Sequence, residues 1–115
     1  MTSNLVTLTE PGSPAAEAYR SLRLNLIAAG RETPLCTLLV APAGPTPDKE
    51  VPVANLAVAF AQVGKRVILV DCDLRRPKIH RSLGLQPKAG LAEILLSQCS
   101  LDDAVLKVEG INLDV

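Results

Sequence analysis

Lys49 closes a proline-broken loop, APAGPTPDK, that leads from one apolar run into another. A lysine so placed, with a glycine at Gly44, suits a phosphate. Backbone N–H groups curl around the anion and the ammonium neutralises it. Asp71 and Asp73 stand two apart at the end of the apolar run Val67 to Val70, where an extended backbone points both carboxylates the same way. Such a pair suits Mg²⁺, directly or through water. The other reading is that either carboxylate caps the turn that follows.

The loop also carries groups that oppose a phosphate. Glycine is wanted before the lysine and a hydroxyl after it, but those places hold Asp48 and Glu50. A carboxylate about 4 Å from a phosphate oxygen costs on the order of 4 kcal/mol per charge pair at an effective dielectric near 20. The same acids have a structural use, because a helix N-terminus leaves unsatisfied N–H groups and a partial positive charge. The sequence therefore predicts a self-capped loop in which Asp48 and Glu50 replace the phosphate and inactivate the site. A working nucleotide site is the competing reading. Pro52, tolerated only in a first helical turn, sets the helix start near Lys49 or Glu50.

The elements that must position these residues read as an α/β unit. Residues 1–12 form a flexible leader ending at Pro11-Gly12. Ser13 and Pro14 then open a helix whose apolar stripe is Ala15, Tyr19, Leu22, Leu26 and Ala29. LCTLLVA (35–41) fits a buried strand that enters the loop. A helix over about 50–63 follows, with Val53, Leu56, Ala57 and Phe60 on its apolar face and Gly64 at its end. Val67 to Val70 is continuously apolar, as a parallel strand covered on both faces should be. A helical turn at 79–83, a helix at 91–97, a capping box at Ser100 and Asp103, and a strand at 111–115 complete the order. In a βαβ unit the ligand edge lies at the carboxyl ends of the strands, which puts the loop and the aspartates together.

Composition narrows the function. Lys plus Arg and Asp plus Glu both number 12 among 115 residues, so no net field favours nucleic acid or anionic lipid. No run approaches the length of a membrane span. Cys36, Cys72 and Cys99 lack metal-ligand spacing and read as reduced, mostly buried thiols. His80 has no partner at ligand spacing and reads as a packed or surface histidine. Glu17, Arg20 and Arg23 make one stripe on the first helix, with Glu17–Arg20 pairing as its ordinary meaning.

Taken together, SPAAEAYRSLRLNL, the block from APAGPTPDKEV to VILVDCDLRRPKIHRSLGL, and GLAEILL resemble the cytoplasmic domain of bacterial tyrosine kinases. These are the capsular and exopolysaccharide biosynthesis family of P-loop ATPases, related more distantly to partitioning and division-site ATPases. The most specific element is VILVDCDLRRP, similar to the family's second phosphate-site motif, an apolar strand ending in D-x-D-x-R. The resemblance implies a P-loop NTPase-like parallel sheet with flanking helices, of which residues 13–115 are the N-terminal half. It implies that Gly44 and Lys49 face the phosphates, and that Asp71 and Asp73 manage Mg²⁺ and the attacking group. ATP and Mg²⁺ are the cofactors if the site is retained. It also implies that Glu17, Arg20 and Arg23 dock on a neighbouring subunit in a ring.

The departures from the family point elsewhere. Where the family's loop is a GPGEGKST-like run, this chain reads GPTPDKEV, without two glycines and both hydroxyls. No acidic Walker B strand or tyrosine-rich tail precedes INLDV, and the lone tyrosine, Tyr19, lies in the first helix. The expected function is thus a degenerate regulatory or binding module with weak or no ATP binding. It would be cytoplasmic at the inner membrane face, homo-oligomeric, and partnered by a membrane-embedded polysaccharide co-polymerase or the rest of its own chain. It would bind no nucleic acid and insert in no membrane. The alternatives are an active ATP-dependent tyrosine autokinase regulating polysaccharide chain length and export, and a partitioning-type ATPase, which the balanced charge disfavours.

Overall fold

Ser13 starts the longest helix. Its backbone is extended and its Oγ accepts the Ala16 N–H at 3.1 Å, which caps a helix with proline in its first turn. This structure is a computed structural model that describes residues 4–115. Preceding that helix is a short one, α1 (Val6–Thr9), and the Ser13-capped helix is α2 (Pro14–Ala29). The helix is the expected one, but its inward face is not. Ala16 and Arg23 are buried, whereas Leu22 and Ala29 are exposed. Arg23 explains the rotation, because its Nη1 donates to the Ala59 carbonyl at 2.7 Å and thereby satisfies a main-chain acceptor on the next helix.

That next helix, α3 (Glu50–Ala61), is the centre of the molecule. Residues 54–59 and Ala61 are all buried, so the helix is enclosed rather than merely amphipathic. Its composition, small alanines alternating with Leu56 and Val58, lets neighbours approach on every side. Gly64 stops the chain from continuing as a helix, with φ +80° and its N–H on the Ala61 carbonyl. The core cluster joins Ala54, Ala57, Val58 and Ala61 to Leu5, Leu69, Ile79 and Leu113.

Leu5 in that cluster corrects the expected leader. Residues 5–9 form a turn of helix in which Leu5 and Thr7 are buried, fixed by polar contacts to α3. Residues 10–12 of the expected leader turn the chain into the next helix, with the Ser13 N–H on the Glu10 carbonyl at 2.9 Å, and residues 1–3 lie outside the described residues.

A small parallel sheet lies against α3. β1 (Val67–Ile68) pairs in register with β2 (Leu113–Asp114), Val67 opposite Leu113 and Ile68 opposite Asp114. On the other side of β2, residues 106–108 run antiparallel, with Leu106 and Val115 exchanging two hydrogen bonds at 2.9 and 2.8 Å. The sheet differs from expectation in two ways. The run Val67 to Val70 is covered on one face only: Leu69 is in the core while Ile68 and Val70 are more than half exposed. Residues 35–41, expected as a buried strand, belong to no helix or strand and are exposed throughout, and no ladder hydrogen bond reaches them among the described residues. A parallel strand needs a hydrogen-bonded neighbour and covered faces, and nothing described here supplies either to that segment.

Three short helices follow β1. They are α4 (Ile79–Ser82), α5 (Leu91–Leu95) and α6 (Leu101–Ala104). The capping box read from the sequence is present at α6. Ser100 Oγ accepts the Asp103 N–H at 3.2 Å and Asp103 Oδ2 accepts the Ser100 N–H at 3.1 Å. The cysteines also depart from expectation. All three are free, but Cys36 and Cys72 are exposed and only Cys99 is partly covered.

Candidate phosphate site

The loop before α3 keeps a glycine's backbone without the glycine. Asp48 has φ +53°, the left-handed region that glycine enters freely and aspartate tolerates better than most residues. Its carbonyl accepts the Val51 N–H at 3.0 Å, turning the chain into the helix. Gly44 is different. Its φ is not positive and a Cβ there would meet nothing within 4 Å, so no steric demand in this structure requires glycine at that position.

The expected self-capping does not occur through side chains. Lys49 is the residue that flanks the start of α3, and no side-chain hydrogen bond caps that helix. Glu50 lies in the first turn, where its charge is favourable to the helix dipole. Its Oε2 is nevertheless buried without a hydrogen-bond partner. The reason is geometric: Glu50 is the first helical residue, and the N-cap position before it is held by Lys49, whose backbone is already helical and whose side chain offers no acceptor.

Lys49 Nζ is 2.5 Å from Asp73 Oδ2. The fold thus joins the loop and the end of the β1 segment, although residues 35–41 do not form the first strand of the expected βαβ unit. Asp73 Oδ1 accepts the Arg76 N–H at 3.1 Å. The Lys49 ammonium, first, and that backbone donor hold the Asp73 carboxyl below the usual aspartate range.

Asp71 is occupied differently. Its Oδ1 accepts the Asp73 N–H at 3.0 Å, and its Oδ2 accepts those of Lys78 and Ile79 at 2.9 and 3.1 Å. It therefore organises the turn and the start of α4, the capping role that was the alternative to a metal. The residues as arranged do not fit a resident Mg²⁺. Both Asp71 oxygens face N–H groups and Asp73 faces Lys49. No group of three or more His, Cys, Asp or Glu side chains gathers among the described residues.

Glu17, Arg20 and Arg23 part company. Arg20 pairs with Glu17 at 2.7 Å and also donates to the Pro11 carbonyl, and Glu17 is exposed. Arg23 points into the fold, where its Nε has no hydrogen-bond partner. In this conformation only Glu17 and Arg20 are available to a neighbour. His80 is half-buried and lines a cavity of about 360 Å³ together with Ile68, Val70, Asp73 and Ile94.

Sequence reasoning missed Asn55, a polar side chain enclosed in α3 that ties α1 to the helix behind the loop. Its one visible signal is an amide within an otherwise apolar helical run, VPVANLAVAFA.

No family model matches the chain. It is 38% identical over 115 residues, all of its length and 48% of the relative's, to tyrosine-protein kinase YwqD of Bacillus subtilis. It is 27% identical over 113 residues to the putative tyrosine-protein kinase CapB of Staphylococcus aureus, covering 98% of this chain and 50% of that one. Among solved structures, the chimerical protein CapA2B2 superposes with a TM-score of 0.79 at 31% identity, over 100% of this chain and 50% of that one. The chain thus spans about half the length of these relatives. No helix among the described residues is long and apolar enough to cross a membrane.

Proposed function

The chain is a relative of the bacterial tyrosine-protein kinases, and on that premise we propose that it forms the phosphate-loop part of a P-loop NTPase-like domain whose own nucleotide binding is weak or lost. It acts as a regulatory or binding module in a capsule or exopolysaccharide system. The observation that carries this reading is Asp48. Its φ of +53° preserves the turn that a phosphate loop needs, while its carboxylate reverses the charge such a loop presents. Glu50, one position beyond Lys49, stands where a hydroxyl would meet a metal and has a buried oxygen instead. ATP would then be at most a weak ligand, met by Lys49, and the arrangement of Asp71 and Asp73 offers Mg²⁺ no resident site. The partners are a second copy, met through Glu17 and Arg20, and a membrane-embedded polysaccharide co-polymerase or the rest of a longer chain. The location is the cytoplasmic face of the membrane.

A second reading is an active autokinase, favoured by one observation: Lys49 and Asp73, far apart in sequence, do meet at the end of the β1 segment. In that case a tyrosine from a neighbour attacks the γ-phosphate, and the chain's contribution is to position and neutralise the phosphates.

A thermal melt with and without Mg-ATP separates these readings, run on this chain and on the double variant Asp48→Gly, Glu50→Ser. The degenerate module predicts no upward shift for the natural chain and a shift for the variant. A shift in the natural chain supports the active reading instead. No shift in either discards the phosphate loop altogether.

A further inference from the structure

Lys49 and Asp73 come from different connections of the fold, and Asp73 is held in place independently of the lysine. Its N–H donates to Asp71 Oδ1 and its Oδ1 accepts from Arg76, while Asp71 is itself anchored by Lys78 and Ile79. The carboxylate oxygen that remains is the one at 2.5 Å from Lys49 Nζ. Among the described residues only one other ion pair forms, Glu17 with Arg20 on α2, so Arg75, Arg76 and Lys78 leave this contact to Lys49 although they sit beside Asp73 in sequence.

We infer that Asp73 is a built-in competitor for the anion: its carboxylate takes the Lys49 ammonium in place of phosphate, and an incoming phosphate must displace it. This rests on the reading of Lys49 as the phosphate lysine. An ammonium is a compact point charge. A phosphate and a carboxylate gathered on it face each other and repel. Exchange is therefore favoured over sharing. A partly exposed pair of this kind lowers phosphate affinity by about two- to fivefold. Whatever engages Asp73, such as a basic side chain of a partner, releases Lys49 and raises phosphate affinity by the same factor that phosphate raises the partner's. The pair is thus a point at which a partner can switch the loop.

The test is titration calorimetry with inorganic pyrophosphate in excess EDTA, on the natural chain, Asp73→Asn, Lys49→Met and the double variant. The rate of Lys49 acetylation by acetic anhydride, read by mass spectrometry on the first two, requires no ligand. The competitor predicts that Asp73→Asn tightens pyrophosphate binding about two- to fivefold, that the gain vanishes with Lys49→Met, and that Lys49 acetylates faster in Asp73→Asn. An equal gain with and without Lys49 would mean simple charge repulsion and overturns the inference. Unchanged acetylation also overturns it, since no pair then exists in solution. Pyrophosphate binding that Lys49→Met leaves undiminished, or that no variant shows, removes the phosphate reading and with it the competitor role, whatever the acetylation shows of the pair.

Discussion

Asn55 Oδ1 accepts two hydrogen bonds from Thr7, one from its backbone N–H at 3.0 Å and one from its hydroxyl at 2.8 Å, and both residues are fully buried. The Asn55 amide returns to the Val51 carbonyl at 3.0 Å, and Gln62 Nε2 reaches the Thr7 carbonyl at 3.0 Å. One side chain thus connects the N-terminal turn to the first turn of α3, next to Lys49.

Replacing Asn55 by alanine strands both Thr7 donors in the core. The expected loss is about 2–4 kcal/mol, since each unsatisfied buried donor costs about 1–3 kcal/mol. Urea unfolding followed by circular dichroism measures it. A loss under about 1 kcal/mol would mean that α1 is not docked in solution.

Arg23→Met keeps most of the buried stem and removes the donor to the Ala59 carbonyl. A destabilisation of about 1–2 kcal/mol is expected, with no change in oligomeric state by light scattering. Glu17→Ala, at an exposed pair, is expected to change stability by less than about 0.5 kcal/mol. The reverse pattern, with Arg23→Met dissociating an oligomer at unchanged stability, would return Arg23 to the surface.

Glycine should have opposite effects at two positions two residues apart. Asp48→Gly relieves a left-handed aspartate and is expected to be neutral or stabilising by up to about 1 kcal/mol, after the added freedom of the unfolded chain is deducted. Glu50→Gly weakens the first turn of α3 and is expected to destabilise by about 1 kcal/mol. Paired thermal melts decide this. Equal losses at both would show that Asp48 is not in a glycine-like conformation.

Two carboxyls lie below their ordinary 3.8: Asp73, through Lys49 and then the Arg76 N–H, and Asp103, through the Ser100 hydroxyl and N–H. A depressed folded-state value means that the fold prefers the ionised form. The resulting stabilisation is complete above the ordinary aspartate range and fades as pH falls through the folded values. In a carboxyl NMR titration, Lys49→Met should move Asp73 upward and leave Asp103 in place, while Ser100→Ala does the converse. A shift of neither would mean that these contacts are absent in solution.

What could be read from the sequence was whatever local chemistry decides. Ser13 with Pro14, Ser100 with Asp103, and Gly64 each define an end of a helix through contacts within a few residues, and each is where expected. Choices that depend on distant partners were not legible. Arg23 turns inward because a carbonyl 36 residues away needs a donor. Asn55 is tolerated in an apolar helix because Thr7, 48 residues away, meets it. At the site, the spacing of Asp71 and Asp73 suggested two equivalent carboxylates, but the bend after β1 gives one to backbone N–H groups and the other to Lys49. The two acids of the loop were recognised as anomalous, yet their capping role failed because α3 begins at Glu50 and leaves neither in a capping position.

Leu35, Leu38, Leu39 and Val40 are exposed on a segment outside any helix or strand, and Leu39 retains 84% of its accessible surface. Short apolar β-formers without a charge or a paired edge are templates for strand addition by any chain they meet. This segment contributes no residue to the core cluster, so its apolar side chains add association risk without adding to the packing that holds the fold. Leu39→Lys would put a charge in the middle of that segment and is expected to slow self-association while leaving the core untouched.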